Sequence, residues 1–125
     1  MKKLLLTLLT TLMLTGAAWA EWVKVAQSDI IDKYIDPATI RKNGNLVRVW
    51  EIHNHKKRDK DGKLSLRARA EYDCKQERFR ALSVSEHSGP MASGTTLLSD
   101  SSDNQWQDIP PNTFAEDVLK IVCAK

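Results

Sequence analysis

Eleven consecutive residues, Leu64 to Cys74, alternate in polarity without a break. Leu64, Leu66, Ala68, Ala70, Tyr72 and Cys74 share one parity, and Ser65, Arg67, Arg69, Glu71 and Asp73 the other. A period of two belongs to a β-strand, whose successive side chains point to opposite faces, so the segment has one dry and one wet face. Such alternation favours an antiparallel sheet covered on a single side, because strands buried on both faces read as continuous apolar runs. The small Ala68 and Ala70 let a helix approach the dry face closely, and Cys74 points toward it.

That helix is legible near the end of the chain. Thr113 with Glu116 three positions later makes a capping box, and Phe114, Val118, Ile121 and Val122 recur at i, i+4, i+7 and i+8 as one apolar stripe. The helix should end near Cys123.

Other strands flank the alternating one. Glu21–Gln27 reads as a first strand and Lys33–Asp36 as a short second one, ended by Pro37, with a single helical turn over Pro37–Lys42. Asn43-Gly44-Asn45 signals a turn, Leu46–Asn54 a central strand, and His55–Lys63 a polar turn bent at Asp61-Gly62. Phe79–Glu86 reads as the partner strand, and the shift of apolar parity between Ala81 and Leu82 predicts a bulge. His87–Gln105 is rich in Ser, Gly and Thr and should be mobile except for a short strand over Thr95–Leu98. Trp106–Ile109 supplies one more edge before Pro110-Pro111. The expected fold is α+β: a single antiparallel sheet of about five or six strands, packed by one C-terminal helix.

The first twenty residues read as a cleavable secretory signal. Lys2 and Lys3 are its positive start, Leu4–Leu14 its apolar run, and Ala18-Trp19-Ala20 its cleavage pattern. The apolar run stops at Gly16, short of the roughly 17 to 25 residues that a membrane-spanning helix needs. The domain then comprises residues 21–125. A lipid anchor would require cysteine at the first mature position, where Glu21 stands, so no membrane anchor is expected, and the product belongs in the periplasm or outside the cell. Cys74 and Cys123 are the only cysteines, and in an exported chain they are expected to pair with each other. Closing a loop of that size contributes about 4 kcal/mol by the chain-entropy argument.

Without Lys2 and Lys3 the chain has 17 basic against 16 acidic residues, so its bulk charge identifies no partner. The distribution is lopsided: Arg41–Arg80 holds thirteen Lys or Arg against six acids, and Ala81–Lys125 two against six. Arg67, Arg69, Arg78 and Arg80, with Lys56, Lys57, Arg58, Lys60 and Lys63 in the preceding turn, form a basic hairpin if the two strands pair. Such a surface attracts a protein or acidic polysaccharide ligand; the alternative is a solvated face neutralised in part by Asp59, Asp61, Glu71, Asp73 and Glu77. Nucleic acid is not a partner in that compartment, and a homodimer stays open.

Chemistry finds little support. His53 and His55 could ligate a metal, with His87 or Asp59 as a further ligand, but Lys56-Lys57-Arg58 opposes a cation and the pair reads as exposed strand-end residues. Asp59-Lys60-Asp61-Gly62 lacks the remaining acids of a calcium loop and reads as a turn. No serine stands in a strand-turn-helix nucleophile setting, and Glu71 and Asp73 read as cross-strand ion partners near Arg67 and Arg69. No cofactor and no catalytic residue is expected. Trp22, Trp50 and Trp106 read as packing residues.

Tyr34-Ile35-Asp36 followed by Ile40, the VRVW run Val47–Trp50, Tyr72-Asp73-Cys74 and the late Val122-Cys123 together resemble the surface-adhesin protein E family of Gram-negative bacteria. The resemblance spans roughly Trp22 to Cys123. It implies an antiparallel sheet packed by a C-terminal helix with the cysteines linking them, no catalysis, and, for the adhesin that names the family, binding of host matrix and plasma proteins such as laminin and vitronectin. Arg67 is the position it carries over as ligand-binding; Lys63, Arg69, Arg78 and Arg80 rest on charge alone. The namesake's lipid-attachment cysteine is replaced by Glu21, so the competing expectation is a periplasmic envelope protein with a structural or protein-interaction role and no host ligand.

Overall fold

A computed structural model describes residues 21–101 and 105–124; the signal segment lies outside them. Six strands follow one another in sequence order across one antiparallel sheet: β1 (Val23–Gln27), β2 (Ile31–Asn43), β3 (Leu46–His55), β4 (Ser65–Asp73), β5 (Arg78–His87) and β6 (Thr96–Asp100). A two-residue β7 (Gln107–Asp108) pairs with the start of β5, and α1 (Phe114–Val122) packs on one face. The expected α+β architecture is the observed one. Among the described residues, no helix is long and apolar enough to cross a membrane.

The inner face carries the core. Val47 and Val49 of β3, Ala70 and Tyr72 of β4 and Ile35 of β2 pack with Val118, Leu119 and Val122 of the helix. Fully burying each large aliphatic side chain contributes about 1.5–3 kcal/mol. Leu119 is buried while Ile121 is 44% exposed, which corrects the expected stripe. The helix presents 115, 118, 119 and 122 on adjacent turns, and 121 falls beside that arc. Thr113 Oγ1 caps the helix by accepting from the Glu116 N–H. At the other end Cys123 is bonded to Cys74, and Lys42 Nζ donates to the Ala124 carbonyl at 3.0 Å, a cation where the helix dipole favours one.

β2 differs from expectation. It does not stop at Pro37, and Pro37–Lys42 forms no helical turn. The strand loops outward between Asp36 and Arg41 and regains its register opposite Arg48. The reason is local bonding: Thr39 Oγ1 accepts from the Trp50 N–H at 3.0 Å and donates to the Asp36 carbonyl at 2.7 Å, while Asp36 Oδ1 accepts from the Ala38 N–H. A side-chain hydroxyl thus replaces the missing ladder contact. Among the described residues no strand pairs with the far side of β2 beyond Ile35, so there the absent N–H of Pro37 breaks no ladder.

The bulge in β5 falls where the parity shift placed it. Arg69 pairs with Ser83 and Ala70 with Ala81, leaving Leu82 as the extra residue. The connection after β5, expected to be mobile outside its strand, is fastened at Pro90–Ala92, where Met91 N–H donates to Asn54 Oδ1 and Ala92 N–H to Ser65 Oγ.

Candidate binding face

Residues opposite one another in a ladder share a face. On the outer face, Trp50 lies opposite Arg69 and Asp36, Ile52 opposite Arg67, and Glu71 between Arg48 and Arg80. Four arginines singled out by sequence therefore come together: Arg67, Arg69, Arg78 and Arg80. The sequence reading missed Arg41 and Arg48, which join them. The signal was the alternation in Val47–Trp50, which sends the valines inward and sets Arg48 and Trp50 outward.

The tryptophans were expected as packing residues, yet none belongs to the core. All three are half-buried, and two lie under guanidinium groups. Arg67 sits 5.4 Å from the Trp50 ring centre, and Arg78 and Arg80 sit 4.6 and 4.4 Å from that of Trp106. These distances suit attraction between a cation and the negative face of the indole.

The wet face of β4 is not uniformly wet. Glu71 is 2% exposed, with Arg48 Nε 2.8 Å from one carboxylate oxygen and Arg80 Nη2 2.6 Å from the other. Burial pushes its carboxyl up, and the hydrogen bonds and charges of the two arginines more than reverse this, so it titrates below the usual range. Asp73 is held low as well, foremost by the Gln76 N–H, with Arg78 at 3.2 Å. The acids are thus cross-strand ion partners, as expected, meeting Arg48 of β3 and Arg78 and Arg80 of β5. Among the described residues, Arg41, Arg67 and Arg69 have no carboxylate within ion-pair distance.

The turn lysines do not all extend this surface. Lys63 is 3.3 Å from Glu86, whose ladder partner Leu66 belongs to the inner face, whereas Lys56 is 3.9 Å from Asp32, which shares the outer face opposite Asn54. Lys57 is exposed in the turn, where Arg58 donates to the Gly62 and Ser88 carbonyls. Asp59 accepts from the Asp61 and Lys63 N–H groups, as a turn residue does. The expected single basic hairpin is therefore divided between two sides of the sheet.

The histidines also depart from expectation. His53 Nε2 lies 3.0 Å from Glu51 Oε1 on the inner face, and the other carboxylate oxygen accepts from the Tyr72 hydroxyl at 2.8 Å. Glu51 is 3% exposed; burial pushes its carboxyl up, and His53, Lys33 and Tyr72 bring it below the ordinary value. His53 thus serves a buried carboxylate and is not a free strand-end residue. Burial, with the nearby Lys63 charge, pushes the His55 pKa down. Among the described residues no group of three His, Cys, Asp or Glu could hold a metal ion.

Four shallow hollows of 210–270 Å³ adjoin one another across the outer face. Sites that enclose a small molecule run about 300–1,000 Å³. The surface suits an extended ligand lying across the sheet better than a small one engulfed by it.

The sequence profile of surface-adhesin protein E matches residues 22–124. The chain belongs to the surface-adhesin protein E family. Three solved structures of Haemophilus influenzae protein E share the fold of this family member. One superimposes with a TM-score of 0.65 at 14% identity, covering 85% of this chain and 88% of that one. A second crystal form gives 0.63 at 15%, covering 85% and 89%. Protein E from a non-typeable strain gives 0.60 at 13%, covering 87% and 79%. No curated protein matches by sequence.

Proposed function

We propose that this protein is an exported, non-enzymatic, adhesin-like binding domain whose outer sheet face holds acidic ligands of the extracellular-matrix type. Membership of the surface-adhesin protein E family supports the general role. The observation that carries the choice of face is that Arg41, Arg67 and Arg69 stand around Trp50 without carboxylate partners, whereas the other arginines of that face are engaged by Glu71 or Asp73. An unpaired guanidinium retains donors for a ligand carboxylate or sulfate, which it can grip through two N–H groups at once.

The test is binding of the mature domain to immobilised laminin at rising salt. Affinity should fall with ionic strength, and the double variant R67E/R69E should lose it. Unchanged binding by a folded R67E/R69E protein would remove the outer face from consideration.

A further inference from the structure

We infer that the preferred ligand is an acidic polysaccharide, with one sugar ring packed on Trp50 and its anionic substituents held by Arg41 and Arg69. This deepens the binding-face reading and rests on it. Three features favour a sugar polymer over an acidic peptide.

First, the Trp50 platform lies on the central strands β3 and β4, each of which is paired on both sides, while the open edge of β2 beyond Ile35 lies to one side of it. A peptide adding itself as a strand needs a free edge, so the backbone at the platform cannot pair with a peptide. Binding must proceed through side chains alone.

Second, the chemistry changes in order across the hollows. At one end Ser83, Ser85 and Ser99 surround a hollow floored by Trp50 and Arg67. The next lies between Trp22 and Trp50, with the backbone-bonded Asp36 at its side, the one beyond is lined by Arg41, Arg48 and Arg69, and the last by Arg41 with Arg48 and Arg80 around Glu71. Hydroxyls, an apolar ring platform and cations are the three things that an acidic sugar residue needs. Its hydroxyls exchange hydrogen bonds with serines, the C–H face of its ring packs on indole, and its carboxylate or sulfate meets guanidinium.

Third, Trp50 borders three of the four hollows and is held in place, its backbone N–H bonded to Thr39 Oγ1 and its ring lying under Arg67. An aromatic platform fixed before the ligand arrives loses little freedom on binding.

Calorimetric titration with a size-defined heparin oligosaccharide, and with polyglutamate of equal charge, separates the inferences. W50A should weaken the heparin oligosaccharide by about tenfold, as loss of a buried aromatic anchor does, and leave polyglutamate within about twofold. W50F, which keeps a ring, should recover part of the loss, and W22A provides a second probe of the same platform should W50A fold poorly. R67E/R69E should abolish both. Equal binding of the two polyanions, with no effect of W50A or W22A on heparin, would overturn the polysaccharide inference and leave the basic face standing. Binding of both polyanions that R67E/R69E leaves unchanged would overturn the face itself. Failure of the wild-type domain to bind the oligosaccharide would overturn the polysaccharide inference alone if laminin is still retained.

Discussion

Each face of the sheet buries one glutamate, and the two faces do so by opposite means. Glu51, beside the helix, is held by the Tyr72 hydroxyl and by His53, with Lys33 close enough to favour its charge. Glu71, on the outer face, is held by two guanidinium groups whose far sides reach solvent. The inner carboxylate is closed into the structure and serves stability. The outer one engages Arg48 and Arg80 and leaves Arg41, Arg67 and Arg69 to a ligand. The difference teaches that a buried acid can close a core or sort the charges of a surface, according to which side of the sheet its partners occupy.

The largest test of this contrast removes the link that serves only the inner face. C74A/C123A should lose about 4 kcal/mol and melt roughly 15 °C or more below the parent, because the loop it frees ends at the helix. The outer arginines should keep their geometry in the surviving fold, so a matched loss of laminin binding at a temperature where the variant is folded would show the two faces to be coupled.

A smaller loss is expected for Tyr72→Phe. It leaves a buried carboxylate oxygen without its donor and should cost about 2 kcal/mol in chemical denaturation. Glu71→Gln should cost about 1 kcal/mol, because Arg48 and Arg80 can turn toward water. If Glu71→Gln proves the more damaging, the assignment of stability to the inner face is wrong.

Acidification sharpens the comparison further. Both glutamates have folded-state pKa values below their ordinary ones, so the stability they confer is fully present above the unfolded value of about 4.3 and is lost as pH falls through the depressed values. Added salt should weaken the Glu71 contribution, which is open to solvent through its partners, more than that of Glu51. Melting curves of the parent and Glu71→Gln across acid pH at two salt concentrations read this directly; an identical salt response would count against it.

The smallest stability effect belongs to the residues proposed for binding. R67A/R69A should change stability by no more than about 0.5 kcal/mol, since neither arginine neutralises an acid in the protein. A melting temperature well below that of the parent would mean that the pair is structural.

Much of the fold was legible because it follows from local patterns. Alternation over Leu64–Cys74 identified a strand with one face under a helix, the capping box located that helix, and the parity slip at Ala81-Leu82 marked the bulge. β2 was misread because Pro37 is a local stop signal, while the bond from Trp50 to Thr39 that carries the strand past it joins two strands. The binding face was half legible. Arg67 and Arg69 stood out as charges, but Arg41 and Arg48 lie in other strands and could be added only once their neighbours were known.

By itself, then, the sequence determined periodicity, turn chemistry and the identity of two cysteines, and through them the sheet, the helix and the bond between them. These are properties of residues a few positions apart. Only the tertiary structure decided which charges cancel, because that depends on register across strands: Glu71 meets Arg48 from β3 and Arg80 from β5, Lys63 turns to Glu86, and Arg67 and Arg69 are left facing solvent beside Trp50.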